Sequence, residues 1–415
     1  MNITKHARLY IAAIVLLIGA LLAIVYMLLP VGFYKLPVRM WLQPPTLVIF
    51  SSITAELAEQ TQSGYDAMRL AFQEVDGFSG GYPVAIRSQF NSEGTDVRTG
   101  SWTERGERKN AQDAVKDPLV VAYVGPGYSG AAQISMPILN KGGLLHLTVN
   151  NTYPGLTREG YAEGEPEKYY PTGVRNYFRM AADDTYQAEA ALDFLQELGV
   201  RSIFILSDTG LYGLGLAREM NRLLQESTIE VAGSEVVPLE QTVLDILMES
   251  ILEESPDAIY FGGDLSKEFA QLVINLKSAG YEGVIMGGDG IYAADYLRTF
   301  GAAAENIYVT SPGATVLKDG AGIQKKFYDA YVAEYDREPT GQDALMYDAV
   351  RITLDALEHV GYDRAKIVEY VHRIQDFKGV FGPVTFDENG DINQRHFQIY
   401  QFKNDDFAYV QDISF

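Results

Sequence analysis

The chain has 415 residues, 47% of them hydrophobic and 21% charged, with a formal net charge of -22 and no cysteine. Disulfides, thiolate metal sites and thiol catalysis are therefore excluded, and no Lys/Arg cluster offers the basic face that a nucleic-acid partner needs. A chain this long exceeds what one hydrophobic core normally supports, so two lobes are expected.

The first element is Leu9–Leu29, "LYIAAIVLLIGALLAIVYMLL", which carries no charged residue. At 1.5 Å per residue it would span roughly 31 Å, enough to cross a bilayer core. It is longer than a secretory h-region, and no small-x-small cleavage site follows it. The reading is an uncleaved transmembrane anchor behind a short cytoplasmic tail (1–8). Lys5 and Arg8 precede it, and Lys35 and Arg39 follow it, a weak bias that leaves the C-terminal body outside. Pro30–Pro45 reads as an interfacial linker, with Tyr34 and Trp41 at headgroup level.

From Thr46 onward, apolar strands alternate with helical stretches. "TLVIFSS" is followed by a helix over 58–76, then by the strand "YPVAIRSQF" and the polar helix "GERKNAQDAVKD". The strand "LVVAYV", a helix over 131–140 and the strand "LLHLTV" come next. Helices over 186–198, 214–225 and 267–279 then alternate with "RSIFILS", "AIYFGG" and "GVIMGGD". This alternation predicts α/β architecture: doubly wound, Rossmann-like parallel sheets in two lobes, with helices on both faces. Ligands in such sheets sit beyond the carboxyl ends of the strands. That rule selects the loops 51–54, 125–130, 150–152, 207–213, 262–264 and 287–290.

The loop Gly125–Gly130 has the form G-x-G-x-x-G and admits three readings. A dinucleotide site needs an acidic residue about twenty positions on, but no Asp or Glu occurs between Asp117 and Glu159. A nucleophile elbow on Ser129 needs a partner histidine, and His359, His372 and His396 do not follow strands in glycine-flanked loops. The third reading needs no chemistry. Glycines free backbone N–H groups at a helix start to face an anion, and Ser129 adds a hydroxyl there. A glycine turn capped by serine is the purely structural counterpart. Pro137 predicts a bend or restart in the helix that follows.

Seven stretches then carry a resemblance: "VGPGYSGAAQISMPIL", "LTVNNTYPGLT", "RMAADDTYQAEAALDFL", "LSDTGLYGLGLA", "PDAIYFGG", "FYDAYVAEYDREPTGQDALMYDAVRITLDAL" and "GVFGPVTFDENGD". In this order and spacing the chain resembles the type I periplasmic-binding proteins, in the Leu/Ile/Val-binding branch that serves ABC transporters, over about Thr46–Phe402. The resemblance implies an extracytoplasmic solute-binding protein and no enzyme. It implies an amino acid or related small solute held between two lobes, delivery to an ABC permease, and no cofactor or metal.

By the same resemblance Ser129 and Thr152, with the backbone at Asn150, would hold a carboxylate. Asp289 would hold an α-ammonium, and Tyr212 would line the site. Asp264 stands where the family often has an aromatic, so it could hold a second cationic or amide-bearing group. The first-loop aromatic of the family is missing as well, with Leu57 nearest. Asp184 reads as a helix N-cap, and Arg179 as a structural partner near a crossover. A capping role for Asp289 is its structural alternative. Lobe 1 would combine 46–175 with 308–377, and lobe 2 would combine 176–307 with 378–415, with crossovers near 173–178, 305–311 and 376–381. The same bilobed fold serves ligand-sensing ectodomains, and the family includes binders of amides, urea-like compounds and aromatic acids. Those are the alternative functions.

Overall fold

The computed structural model describes residues 44–54, 58–92, 101–238 and 240–415. The predicted anchor Leu9–Leu29, most of the linker and Leu57 lie outside the described residues. Among those that are described, no helix is long and apolar enough to cross a membrane.

The first lobe opens with β1 (Leu47–Ile53) and α1 (Ala58–Gln73), followed by the hairpin β2 (Phe78–Ser79) and β3 (Tyr82–Phe90). Then come α2 (Glu104–Lys116), β4 (Val120–Val124), α3 (Ser129–Lys141), β5 (Leu145–Thr148) and β6 (Tyr177–Arg179). The sheet order is β2-β3-β1-β4-β5-β6, parallel except at the β2/β3 hairpin. β1 is buried along almost its whole length and β4 is an unbroken apolar run, because helices cover both faces of the sheet. β3 lies nearer the edge and is only partly covered. α3 runs through Pro137 without restarting, with the proline on its half-exposed side.

The second lobe follows as α4 (Asp184–Glu197), β7 (Ser202–Ser207), α5 (Leu211–Leu224), β8 (Glu230–Val236), α6 (Gln241–Glu254), β9 (Ala258–Gly262), α7 (Lys267–Ser278) and β10 (Val284–Gly287). The short helix α8 (Ala294–Leu297) and β11 (Ile307–Pro312) complete its parallel part. The chain then returns to the first lobe with α9 (Gly322–Tyr335), α10 (Gly341–Val360), α11 (Arg364–His372) and the hairpin β12 (Phe377–Gly379) and β13 (Gly382–Val384). It finishes on the second sheet as β14 (His396–Lys403) and β15 (Asp406–Ser414). That sheet runs β15-β14-β11-β10-β9-β7-β8, with β14 antiparallel to β11 and β15 antiparallel to β14.

The crossings between lobes fall later than the sequence reading places them. β6 is the last strand of the first sheet, so the first crossing follows Arg179. β11 hydrogen-bonds β10 and β14, so the second follows Pro312. Val384, Phe386 and Ile392 pack into the first core beside Leu47 and Tyr347, so the third lies between Ile392 and His396. The cause is pairing: a short strand belongs to the sheet that satisfies its backbone groups, and that partner is not written in the local sequence. α10 is the central helix of the first core, and a reciprocal Thr340/Asp343 capping box starts it.

The strand order of each sheet reverses at a switch point, between β1 and β4 in one lobe and between β7 and β9 in the other. The crevices at these switch points are where α/β sheets place ligands, and the loops selected from sequence lie there.

Candidate functional site

In the first lobe the chain leaves β4 through Gly125, whose φ of +103° favours glycine. A Cβ there would meet the Ser52 carbonyl oxygen at 2.5 Å, so only glycine lets this loop cross the end of β1. Ser129 is then the first residue of α3, and its cap residue Tyr128 makes no side-chain capping bond. The Ser129 side chain is buried, and its Oγ accepts from the Tyr153 N–H at 3.3 Å. Asn151 ties the next loop to the first by donating to the Pro126 carbonyl at 2.9 Å.

Behind this loop lies Arg179, fully buried. Its guanidinium donates to the carbonyls of Asn151 and Tyr153, at 3.2 and 3.1 Å, on either side of Thr152. It also donates to Asp391 Oδ1 from Nε at 3.0 Å and from Nη2 at 2.8 Å. Arg158 reaches the other Asp391 oxygen at 2.9 Å and Asp183 at 3.3 Å. Burial alone would raise the Asp391 pKa, but the two guanidiniums hold it below the ordinary range. The structural role read for Arg179 is therefore specific: it fixes the loop that carries Thr152 to the last crossing between lobes.

In the second lobe Asp289 begins a single turn of 3-10 helix after β10. Its Oδ1 accepts from Gln187 Nε2 at 2.7 Å and from the Tyr212 hydroxyl at 2.9 Å. Gln187 is held in turn by donating to Thr310 Oγ1 at 2.9 Å. A Cβ on Gly288 would fall 2.1 Å from the Tyr212 hydroxyl oxygen, so that glycine is what allows tyrosine to reach Asp289. Asp289 caps no helix: α8 starts at Ala294, and its cap residue Ala293 makes no side-chain capping bond. Burial pushes the Asp289 carboxyl above the usual carboxylate range, opposed by the Gln187 and Tyr212 donors.

Asp264 follows β9. Its N–H donates to Asp208 Oδ2 at 2.9 Å, and Asp208 also accepts from Gly210 N–H, which braces the two loops together. The Asp264 carboxylate lies over Gly290, with Oδ1 2.8 Å from where a Cβ would stand. Two acids thus meet at one end of the crevice.

One small cavity of about 40 Å³ lies between these loops, and Ser129 and Asn150 of the first lobe and Tyr212, Asp264 and Asp289 of the second all line it. Thr152 sits one layer behind. No hydrogen bond of ordinary geometry reaches the buried atoms Asn150 Oδ1 and Gln187 Oε1, while the Thr152 hydroxyl and the Asp184 carboxyl are buried facing each other. Buried polar atoms are nearly always paired, so a cluster of this kind marks a place that receives polar groups.

Asp184 is the residue that sequence reasoning misassigned. The N-cap of α4 is Asp183, whose side chain accepts from the Thr185 N–H. Asp184 instead points inward beside Thr152. Burial raises its pKa well above the ordinary value; the Thr152 hydroxyl opposes this and the Asp289 charge adds to it. Tyr128, Tyr292 and Gln342 also line the cavity, and no local pattern singled them out.

The nucleophile reading of Ser129 fails on geometry. His359, His372 and His396 bond to Asp355 O, Arg175 O and Ser414 Oγ respectively, and none meets Ser129. Among the described residues no group of three His, Cys, Asp or Glu side chains could hold a metal ion.

Comparison with known proteins agrees with this geometry. A family model described as periplasmic binding protein matches residues 49–406. The leucine-, isoleucine-, valine-, threonine- and alanine-binding protein of Pseudomonas aeruginosa is 27% identical over 300 residues, 72% of this chain and 74% of that protein. The crystal structure of a leucine-binding protein from Thermotoga maritima superposes with a TM-score of 0.74 at 22% identity, covering 89% of this chain and 99% of that one. A branched-chain amino acid transporter substrate-binding protein from Streptococcus pneumoniae, solved with isoleucine, gives 0.72 at 22% identity, covering 89% and 100%.

Proposed function

This chain belongs to the periplasmic binding protein family, and from that premise we propose that it captures an α-amino acid between its lobes and delivers it to an ABC permease. The observation that carries the reading is the pairing of opposite ends across one cavity. Hydroxyl and helix-start groups stand on the first lobe, and a braced, half-buried carboxylate stands on the second.

A zwitterion fits these ends. The ligand carboxylate accepts from Ser129 and the backbone at Asn150, with the Thr152 hydroxyl behind them, helped by the N-terminus of α3. The ammonium donates to Asp289 and to the Tyr212 hydroxyl oxygen, which replaces the lost solvation of a buried charge. Asp264 flanks that end and tunes which amines are accepted. Because each lobe holds one end, ligand stabilises the closed arrangement over the open one, as in hinge-closing binding proteins. Leu9–Leu29 would tether the protein to the membrane with its body on the outer side.

Titration calorimetry on the full-length protein tests this. The wild type is expected to bind at least one α-amino acid, and Asp289→Asn to lose it by roughly 100-fold or more, since a buried charge then has no partner. Binding that survives Asp289→Asn unchanged would falsify the ammonium assignment.

A further inference from the structure

The small polar cavity adjoins a larger one. Gly127, Asn150, Tyr292, Ala293 and Gln342 line it and also line a second cavity of about 720 Å³. An α-amino acid has two polar substituents and a side chain on one carbon. With both polar groups held in some 40 Å³, the side chain leaves past those five residues.

The second cavity is far larger than a branched side chain needs and lies in the range of sites for drug-sized ligands. Its first-lobe wall includes Ile53, Met68, Val149 and Met346, and its second-lobe wall includes Tyr296 and Phe407. Tyr292, at the doorway, stacks on Phe407 with ring centroids 4.4 Å apart. A further ring entering here would extend an existing stack, and methionine beside it offers a favourable sulfur–aromatic contact.

The charged groups around this cavity already have partners of their own. Asp343 accepts from the Thr340 N–H at 2.8 Å, and Arg337 pairs with Asp66 at 2.6 Å. Glu338 accepts from the Tyr328 hydroxyl at 2.8 Å, Asp295 pairs with Arg298, and Asp406 accepts from the Phe407 N–H at 2.8 Å. An anionic side-chain tip meets four carboxylates here and one guanidinium already paired with Asp66, whereas an apolar one finds a wall.

Resting on the amino-acid reading above, we propose that the ligand is an amino acid with an aromatic side chain, its ring seated against Tyr292 and Met346. The experiment is calorimetry on the full-length protein with leucine, isoleucine, phenylalanine and tryptophan, repeated for Met346→Trp and Ile53→Phe, which fill the first-lobe wall at two separate points. Phenylalanine or tryptophan is expected to bind at least about tenfold tighter than leucine. Either filling variant should remove that advantage, weakening phenylalanine and tryptophan at least about tenfold more than leucine. Leucine or isoleucine bound as tightly as both aromatics, or fillers that weaken all four equally, overturns the proposal alone. No binding by any of the four overturns the amino-acid reading itself, and this proposal with it.

Discussion

The two ends of the small cavity are built from different chemistry. The first-lobe end is neutral: a hydroxyl at the start of α3, a second hydroxyl behind it and backbone groups, all positioned by Arg179 from beneath. The second-lobe end is acidic. Asp289 and Asp264 line the cavity, Asp184 lies buried close by, and burial raises the pKa of Asp184 and of Asp289. A neutral end holds an anion at any ordinary pH. An acidic end holds a cation only while it is ionised, so the second lobe carries both the larger charge interaction and the pH sensitivity.

Four measurements sharpen or break that contrast. The largest effect is Asp289→Asn, expected at about 3–5 kcal/mol of binding. Next is the support under the neutral end. Arg179→Met leaves buried Asp391 with Arg158 alone, so a loss on the order of 3 kcal/mol of folding stability is expected by chemical denaturation. An Arg179→Met protein as stable as wild type would remove the claim that this network fixes the first-lobe loop. Ser129→Ala should be milder, about 1–3 kcal/mol in affinity, because it deletes one neutral donor to a charged group. If it matched Asp289→Asn, the ends would not differ as described.

The last effect is pH dependence. In the ligand-free protein the Asp289 carboxyl sits above its ordinary value, and an ammonium favours its charged form, so binding releases a proton. Affinity should therefore fall as pH drops through that raised pKa. Ser129→Ala should keep this slope, and Asp289→Asn should lack it. Asp348, outside the site, gives a stability control. Burial, opposed by the Arg351 guanidinium, pushes it up to about 6. A raised carboxyl contributes stability below its unfolded pKa and loses it as pH rises through the folded one. Folding stability should thus gain a contribution on the order of 1 kcal/mol from this group between pH 7 and pH 5, which Asp348→Asn removes from the pH profile of the melting temperature. Asp391, held low, has the opposite slope, but only below the ordinary aspartate range.

Legibility followed the range of the interaction. The strand "YPVAIRSQF" is found at Tyr82–Phe90 because its pattern is local. The helix read as 186–198 starts two residues earlier, since its cap is Asp183 and not Asp184. Neighbouring aspartates compete for one N-cap, and the winner is set by what the loser can reach; here Asp184 lies beside Thr152. Ser129 was singled out by a glycine loop before a helix and Asp289 by the resemblance, and both line the small cavity. Gln342 and Tyr292 carry no such motif, because their contribution is position alone.

By itself the sequence determined the alternating α/β pattern, two lobes' worth of core, the loops at strand ends and the residue types at each end of the site. These follow from hydrophobic periodicity and from turn and helix-start chemistry, which act over a few residues. Only the tertiary structure decided where the chain crosses between lobes, because strand pairing is non-local. Only it brought Gln187 to Asp289, 102 positions away, and closed Ser129 and Asp289 around one cavity. It alone opened the larger apolar cavity beside them, since a void is the property of walls drawn from many segments and belongs to none of them.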